Sequence, residues 1–452
     1  MNTLISANEA VLFLISSYPS EKSKQKLSFE QLLQHATDID IENIKYQEIK
    51  PSIFNYCSHS STGYLIFNTL YNSLVRLSTS EYKQYQSGDF ISKKLRKELI
   101  KSGIIVSNTI NELKVYLKIA DLFVKHPKRP LSITITTTLK CNARCPYCYE
   151  HGVKQQDMLP ENTTKIIDFI KANQPQNGLL ITWFGGEPLL NISLIDDISS
   201  RLKNEGISFS SYIISNGSLF TVEIISTKIE QWNLRDVQIT LDGPQEYYES
   251  IKNYSPENNI GFYHILNVIR LLSNHNINVH IRLNISRNNL SLIEQLVKEL
   301  DYAFSAKDNI LFCPAFLTGT SDKLSEAEKL ECIRRLFKIV TNPRKLTAGS
   351  RFYSMPRTEP CNNSNPRSFT IDVSGDIFSC EHFVGVSSKA IGTLNSFDAS
   401  SDPRHKRSYI RKKCKECVFF PKCFGGCKAN LNTRDEPCFI EKYILQAYMS
   451  LL

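Results

Sequence analysis

The chain has 452 residues, of which 41% are hydrophobic and 22% are charged, an ordinary composition for a globular protein of several domains. Its formal net charge is +9, but no Lys/Arg-rich run or nucleic-acid motif accompanies that excess, so we interpret it as a solvated basic surface and expect no nucleic-acid partner. No apolar stretch approaches the roughly 18 residues that a membrane span needs, and no signal peptide is recognisable. We therefore expect a cytoplasmic protein without a membrane partner.

The first part of the chain has the pattern of a hairpin beside small helices. Gly63–Asn68 and Ser73–Leu77 are predicted as two strands joined by a short turn. A short helix that opens at Ser80, an amphipathic helix over Phe90–Lys101 and a strand over Ile104–Val106 follow. Together these elements predict a winged-helix-like domain.

The central part alternates short apolar strands with segments of helical spacing. The six predicted strands are Ser132–Thr137, Leu179–Trp183, Phe209–Ile214, Val237–Leu241, Val279–Ile285 and Ile310–Pro314. Six such alternations predict a parallel α/β domain, closed or open as a barrel. In these folds the chemistry gathers at the C-terminal ends of the strands, and the informative motifs of this sequence fall there.

Composition and pattern divide the chain into four regions. The predicted boundaries are 1–125 for the N-terminal winged-helix-like domain, 130–322 for the α/β domain, 323–350 for a helical bridge and 351–452 for a Cys-rich domain. The last region has few elements that could build an independent core, so we expect it to need metal for its stability.

Thirteen cysteines are unusual for a cytosolic chain, in which Cys clusters hold metal more often than they form disulfides. The first group is Cys141-x-x-x-Cys145-x-x-Cys148, directly after the first strand of the α/β domain. Three thiolates in one tight loop leave one iron of a cubane 4Fe–4S cluster without a protein ligand. An open metal position is a catalytic feature, whereas the alternative is a zinc site or chance clustering.

This motif resembles the signature of radical S-adenosylmethionine (radical SAM) enzymes. The resemblance implies a partial (β/α)6 TIM barrel in which the open iron chelates S-adenosylmethionine. Electron transfer to that cofactor then yields a 5′-deoxyadenosyl radical, which abstracts a hydrogen atom from the substrate.

Further polar positions follow the strands and resemble cofactor contacts of the same family. Gly185-Gly186-Glu187 resembles the segment that hydrogen-bonds the cofactor's amino group, because glycine permits close backbone approach and a carboxylate accepts from an ammonium. By resemblance the cofactor-binding residues are Tyr147, Gly185, Gly186, Glu187, Ser215, Asn216, Arg282 and Asn284. Asp242, after the fourth strand, is a candidate catalytic residue, and a turn-capping carboxylate is the alternative.

The second cysteine group lies in the last region and consists of Cys361, Cys380, Cys414, Cys417, Cys423, Cys427 and Cys438. Its order and spacing resemble the SPASM domain of peptide- and protein-modifying radical SAM enzymes, while a zinc site is the alternative. The resemblance implies two auxiliary 4Fe–4S clusters, hence three in the chain. The outer cluster would be held by Cys414, Cys417, Cys423 and Cys438, and the inner one by Cys361, Cys380 and Cys427. Its fourth ligand stays open between a substrate thiol, Cys313, Cys332 and a carboxylate.

Glu381 follows Cys380 at a position where sulfatase-maturing relatives place a catalytic Asp. A general base there could deprotonate a substrate thiol or hydroxyl, and a solvated carboxylate is the alternative.

The N-terminal segment resembles the leader-recognition domains of enzymes that mature ribosomally made peptides. Such domains add the leader as a strand to a sheet edge, which the hairpin around Tyr64–Leu77 could offer. The leading hypothesis is therefore a peptide maturase that forms a thioether or related crosslink in a precursor peptide bound through its leader. Flavodoxin or ferredoxin is the expected electron donor. The alternatives are a formylglycine-generating sulfatase maturase, a carbon–carbon-crosslinking or epimerising enzyme, and a zinc-stabilised binding module.

Overall fold

A computed structural model of the full chain describes most residues beyond Ile49. The described residues are 49–60, 63–89, 92–124, 129–150, 152–173, 175, 177–254, 260–317, 324–347, 356–359, 361–399, 402, 404, 410–427 and 438–452. They fall into two compact units. One unit comprises the described residues within 1–127, 351–364 and 405–452, and the other comprises those within 128–350 and 365–404.

The second unit is built on a nine-stranded sheet that is mostly parallel. Its strands are β6 Leu131–Thr138, β7 Leu179–Gly185, β8 Ser210–Ser215, β9 Leu234–Leu241, β10 Asn278–Ile285, β11 Ile310–Phe316, β12 Ser368–Ile371, β13 Asp376–Phe378 and β14 Gly392–Thr393. Strands β6 to β11 are parallel and lie side by side in chain order. The six predicted strands are therefore present, and the expected α/β class is confirmed.

The sheet continues beyond β6 in a way that the sequence did not predict. Strand β12 pairs parallel with β6, and β13 and β14 follow it antiparallel. Within the described residues β11 and β14 are the two edges, so this sheet is open. Both faces of its centre are buried, because Ile133 and Ile181 on one face are inaccessible to solvent and Thr134 and Thr182 on the other face are only 8% and 9% exposed.

Helices connect the parallel strands and cover the sheet. They span Glu161–Ala172, Ile192–Asn204, Val222–Gln231, Gln245–Lys252, Phe262–Asn274, Leu290–Ala303, Glu326–Ile339 and Arg344–Thr347. Ile195, Ile198 and Leu202 show why such a segment is helical, since their spacing places them on one face and all three are buried. In the part of the chain that the structure describes, no helix has both the length and the apolarity to cross a membrane.

The first unit carries the predicted hairpin, the predicted strand near Ile105 and two strands that the sequence did not predict. Its strands are β1 Ile49–Pro51, β2 Asn55–Ser60, β3 Gly63–Asn68, β4 Ser73–Leu77 and β5 Ile105–Ser107. Strand β3 lies between β2 and β4 in an antiparallel sheet, so β2 and β4 are its edges among the residues that the structure describes. The sequence missed β2 because Asn55–Ser60 is mostly polar.

The helices of the first unit come from both ends of the chain. They span Thr79–Ser87, Lys93–Lys101, Glu112–Val124, Lys412–Lys415, Phe420–Cys423 and Ile440–Met449. Ser78 caps the first of them in a capping box with Glu81. The helix predicted from Phe90 is described from Lys93 onward, and Phe90 and Ile91 lie outside the described residues.

One hydrophobic core joins the N-terminal region to the Cys-rich C-terminal region. Phe54 and Tyr116 pack with Phe420 and Phe424, and the ring contacts between Tyr116 and the two phenylalanines are edge-on. The C-terminal segment thus shares a core with residues more than 280 positions earlier. The winged-helix-like and SPASM assignments of these two regions stay predictions.

Candidate active site

The first cysteine loop begins where β6 ends and is closed at its base by the chain that follows it. The Leu139 N–H donates to the Gln156 carbonyl at 2.9 Å, and the Met158 N–H donates to the Thr137 carbonyl at 3.0 Å. Between them, the Thr138 hydroxyl donates to the Asp157 carboxylate at 2.6 Å. These bonds fix both ends of the loop to the C-terminal end of β6.

The three thiols of this loop lie near one another. Burial, followed by the nearby charges of Glu187, Cys145 and Cys148, raises the pKa of Cys141 to about 11. The Ala143 N–H donates to the Cys141 sulfur at 3.4 Å, the kind of bond that stabilises a thiolate. Iron would therefore have to displace a firmly held proton on binding.

A site for a single metal ion would need a different arrangement of side chains from the one that a cubane cluster needs. Among the residues that the structure describes, no three His, Cys, Asp or Glu side chains converge on a point where one metal ion would sit. A cubane cluster instead takes each thiolate at a separate iron corner.

Gly185 and Gly186 lie directly against the backbone that leads into the cysteine loop. A Cβ on Gly185 would come within 2.0 Å of the Thr138 carbonyl oxygen, and one on Gly186 within 2.3 Å of the Lys140 carbonyl oxygen. This close approach lets the Gly186 N–H donate to Thr138 at 3.1 Å and the Glu187 N–H donate to Lys140 at 2.9 Å. Only glycine fits both positions.

Glu187 is fully buried and ties three strand ends together. Its carboxylate accepts hydrogen bonds from the Ser215 hydroxyl at 2.8 Å, the Asn216 N–H at 2.8 Å and the Leu189 N–H at 3.3 Å. Burial raises the pKa of Glu187 to about 7 despite these bonds. The Asn216 amide donates in turn to the Asn142 side-chain oxygen at 2.9 Å, which connects this network to the cysteine loop.

Tyr147 and Asp242 form a network with Lys252, a residue that the sequence did not single out. The Tyr147 hydroxyl donates to the Asp242 carboxylate at 2.8 Å, and the Lys252 ammonium lies 3.0 Å from that carboxylate. The Lys252 and Asp242 side chains are only 3% and 2% exposed. Burial alone would lower the pKa of Lys252, but Asp242 and Tyr147 raise it well above its usual value. Asp242 thus acts as an ion-pair partner, and proton transfer to it would have to break that pair.

Arg282 and Asn284 lie on the same strand, β10, and contact each other. The Arg282 Nε donates to the Asn284 side-chain oxygen at 2.9 Å. Asn289 donates to the Asn284 carbonyl at 2.8 Å and to the Asp242 carbonyl at 2.7 Å, which joins the ends of β9 and β10. On the neighbouring strand, the Cys313 sulfur is 3.9 Å from the His280 Nδ1.

A second group of side chains lies near Tyr149, just after the third cysteine, although the residue is 51% exposed. Its ring lies 5.7 Å from the His382 ring, and partial burial, followed by the charges of Glu150, Glu381, Cys148 and Cys380, raises the pKa of Tyr149. Burial also raises the pKa of Glu150 to about 7. The structure therefore brings Cys380 and Glu381 close to the end of the first cysteine loop. Glu150 was missed because a single carboxylate after a motif carries no pattern of its own.

Four C-terminal cysteines also lie near one another. Burial first, and then the thiols Cys417, Cys414 and Cys438, raise the pKa of Cys423 to about 12. Backbone N–H groups of Phe419 and Gly425 donate to the sulfurs of Cys417 and Cys423, respectively. These four are the residues that the sequence predicts for the outer auxiliary cluster. Of the predicted inner set, Cys361 and Cys427 belong to the first unit and Cys380 to the second.

Comparison with known proteins identifies what this site is similar to. Residues 135–300 match the family described as the radical SAM superfamily, whose enzymes use S-adenosylmethionine and a 4Fe–4S cluster. The radical SAM cyclopropyl synthase TigE of Paramaledivibacter caminithermalis is 26% identical over 277 residues, which are 53% of this chain and 52% of that protein. The chain thus spans about half the length of that relative.

Two further proteins align with this chain over more of their own length. The cysteine-type anaerobic sulfatase-maturating enzyme of Clostridium novyi is 22% identical over 331 residues, 64% of this chain and 85% of that enzyme. The solved structure of native anSMEcpe with bound AdoMet and Kp18Cys peptide is 17% identical, with a TM-score of 0.56, and covers 71% of this chain and 95% of that one. This last likeness concerns the fold.

Proposed function

The chain contains a radical SAM domain at residues 135–300, and from this premise we propose that it is a maturase that modifies a ribosomally made precursor peptide by radical chemistry. The observation that carries the proposal is the three-thiol loop after β6, tied at its base to the sheet and pressed against Gly185 and Gly186. The match of residues 135–300 to the radical SAM superfamily does not depend on the nature of the substrate.

The chain's own residues have separate roles in this proposal. Cys141, Cys145 and Cys148 would hold a cluster with one open iron, which together with S-adenosylmethionine supplies a 5′-deoxyadenosyl radical when both are bound. Gly185 and Gly186 bring the next strand end against the loop. Glu187 holds the Ser215–Asn216 turn, and Arg282 and Asn284 supply polar groups from β10, as binding groups for the cofactor.

The first unit supports a peptide partner. Within the described residues β2 and β4 are the edges of its three-stranded sheet, and a leader segment added at an edge would gain main-chain hydrogen bonds. Of the two hairpin strands it is β4 that forms an edge in this part of the chain, because β3 is paired on both sides.

The C-terminal cysteines would supply the auxiliary clusters. The proximity of Cys414, Cys417, Cys423 and Cys438 supports one fully ligated cluster, which could accept the second electron that a crosslink must lose. Cys361, Cys380 and Cys427 are the proposed ligands of the inner cluster. Glu381 is the proposed general base, and its closeness to Tyr149 at the end of the first loop supports that role.

The proposed reaction is tested with iron-loaded protein under anaerobic reducing conditions. With S-adenosylmethionine and a leader-bearing precursor encoded beside the gene, we expect 5′-deoxyadenosine and a precursor that has lost two hydrogens per crosslink. A precursor of unchanged mass, with 5′-deoxyadenosine produced, would refute the crosslinking reaction and leave the radical SAM assignment intact.

Leader recognition is tested separately by backbone chemistry. A strand added to an edge donates and accepts through alternate residues, so N-methylation of one alternating set of leader amides should abolish binding to the full-length protein. N-methylation of the other set, which faces away, is the matched control and should leave affinity nearly unchanged. Equal affinity for both peptides would exclude strand addition.

A second candidate function is conversion of a cysteine to formylglycine. The 22% identity to the Clostridium novyi sulfatase-maturating enzyme, over 85% of that enzyme, favours it. A cysteine-containing sulfatase peptide offered without any leader would then gain an aldehyde, which a hydrazide probe detects. Labelling of that peptide, with no change in a leader-bearing precursor, would decide for this alternative.

A further inference from the structure

The helix Lys93–Lys101 of the first unit carries a concentrated positive charge. Five of its nine residues are basic and one, Glu98, is acidic. Its apolar side is fixed, because Leu99 is fully buried and Leu95 packs against the same core as Val75 of β4. The helical repeat of about 3.6 residues then puts the exposed lysines together on the opposite side. We call this surface the lysine stripe, and it consists of Lys93, Lys94, Lys97 and Lys101.

The lysine stripe has little neutralising charge around it. In the part of the chain that the structure describes, no side-chain hydrogen bond or ion pair joins Lys93, Lys94 or Lys97 to another residue. Lys101 approaches Glu98 at 3.9 Å, and these two side chains are 59% and 36% exposed. A pair that lies in solvent in this way neutralises little charge, so the stripe stays cationic.

The arrangement of these charges also opposes the helix that carries them. The N-terminus of a helix favours acidic side chains, yet the first turn here contains Lys93 and Lys94 and no acidic residue. Lys97 has a like-charged neighbour four residues away on each side, Lys93 and Lys101, which weakens a helix further. The helix Glu161–Ala172 of the second unit does the opposite, with an acidic residue in its first turn and a basic one in its last. A negatively charged partner would relieve the repulsion within the stripe.

The spacing of the stripe fits an extended peptide. Lysines four residues apart, such as Lys93, Lys97 and Lys101, are separated by about 6 Å along the helix axis. In an extended peptide, alternate side chains lie on one face at intervals of about 6.6 Å. Acidic residues at alternate positions of such a peptide would therefore each meet one lysine. A single-stranded nucleic acid also needs aromatic side chains on which its bases can stack, and this helix has none.

We propose that the lysine stripe is an electrostatic docking surface for an acidic, extended segment of the peptide substrate. Ion pairs in solvent contribute more to the rate of association and to the choice of peptide than to the final affinity. The inference rests on the proposed peptide substrate and names the charge class of that peptide. It is distinct from strand addition at a sheet edge, which recognises the main chain.

The test measures how a short fluorescein-labelled peptide, in which Glu alternates with Thr, binds to the full-length protein at low salt. Fluorescence anisotropy gives the affinity. Lys93→Glu combined with Lys94→Glu cancels the net charge of the stripe, so we expect binding at least about ten-fold weaker than in the parent. The difference should vanish at about 0.5 M salt, because salt screens exposed charges.

Matched controls separate this surface from a general effect of charge. Lys114→Glu combined with Lys118→Glu makes the same change in net charge at two exposed lysines on another helix of the same unit, and should bind as the parent does. A peptide with Gln in place of Glu should not distinguish the parent from Lys93→Glu/Lys94→Glu. Since acidic residues suit the first turn, the latter variant should unfold at or above the parent's temperature, so its weaker binding would not reflect misfolding.

The outcomes also separate this inference from the proposed function. Equal binding of the acidic peptide by the parent and Lys93→Glu/Lys94→Glu, or tighter binding by the parent of a single-stranded oligonucleotide of the same charge, would overturn the docking surface. With a subsaturating leader-bearing precursor at low salt, the variant should form product about ten-fold more slowly. Equal rates would overturn the inference alone, whereas a parent that leaves the precursor unmodified would overturn the proposed function.

Discussion

The two cysteine groups of this chain are held in place by different means. Cys141, Cys145 and Cys148 stand on a loop that backbone hydrogen bonds and two glycines fix to the end of a parallel sheet. The C-terminal group stands on helices of four residues and on turns, and Cys414 and Cys417 pack against the core shared with the N-terminal region.

The difference between the two cysteine groups indicates which part of the chain needs metal in order to fold. A loop fixed by the sheet keeps its thiols together through protein contacts, so metal there serves chemistry. Segments with short helices and few core residues depend on metal for their structure. We therefore expect loss of the first cysteine group to abolish cofactor cleavage. Loss of the second should lower stability and prevent product formation.

The largest expected effect comes from removing the first group. Replacing Cys141, Cys145 and Cys148 together by alanine should lower 5′-deoxyadenosine formation to background. This loss is larger than the roughly 10–100-fold loss of activity that follows mutation of residues hydrogen-bonded to metal ligands. Chromatography of the quenched reaction measures it. Because the sheet and not the metal holds this loop, the variant should unfold at nearly the parent's temperature, and a large drop would contradict the comparison.

Removing the second cysteine group should abolish product formation without abolishing cofactor cleavage. Cys417→Ala leaves the first loop intact, so 5′-deoxyadenosine should form within a few-fold of the parent while modified precursor is lost, because the proposed electron acceptor would be missing. The same variant should unfold at a lower temperature than Cys57→Ala, which changes an exposed cysteine of the same unit. Complete loss of cofactor cleavage would show that the two groups are not independent.

Glu187 predicts a pH dependence of stability in the metal-free protein. Its pKa rises from 4.5 to about 7 on folding, so the folded state binds this proton more tightly. Stability from this group is therefore greatest below pH 4.5 and falls as pH rises through 7, by roughly 3 kcal/mol. The free energy of unfolding, measured with urea, should fall less between pH 5 and pH 8 in Glu187→Gln than in the parent. Parallel pH profiles for the two proteins would refute the assignment.

The smallest expected effect comes from crowding at Gly186. In Gly186→Ala the new Cβ would lie 2.3 Å from the Lys140 carbonyl oxygen and 3.0 Å from the Cys141 Cβ. Overpacking of this kind costs about 1–3 kcal/mol and should displace the loop enough to reduce iron binding. Gly206→Ala is the control for backbone strain without crowding, because its φ is +69° but no atom lies within 4 Å of its Cβ, and it should keep full iron. Full iron and cofactor cleavage in Gly186→Ala would contradict the close fit.

The sequence predicted those parts of the molecule that local patterns encode. Apolar, β-branched runs such as Leu131–Thr138 identify the six parallel strands, and the spacing of Cys141, Cys145 and Cys148 identifies the loop. Gly185 and Gly186 were found because Gly185-Gly186-Glu187 resembles the cofactor-binding segment of radical SAM enzymes. Their contacts with Thr138 and Lys140 needed the structure.

The remaining features depend on contacts between distant residues. Strand β12 has only four residues, and its partner β6 lies more than 200 positions earlier. The core of Phe54, Tyr116 and Phe420 likewise joins segments far apart in the chain. Lys252 ends a helix with no motif around it, so its place beside the cysteine loop could not be inferred from spacing.

We propose that the loop of Cys141, Cys145 and Cys148 presents an open iron to S-adenosylmethionine. The most direct measurement is the EPR spectrum of the reduced, iron-loaded protein before and after that cofactor is added. The account predicts a changed spectrum in the parent and in Cys417→Ala, and no change in the variant that lacks the three loop cysteines. A response that persists in that variant, or a parent spectrum that the cofactor leaves unaltered, would contradict it.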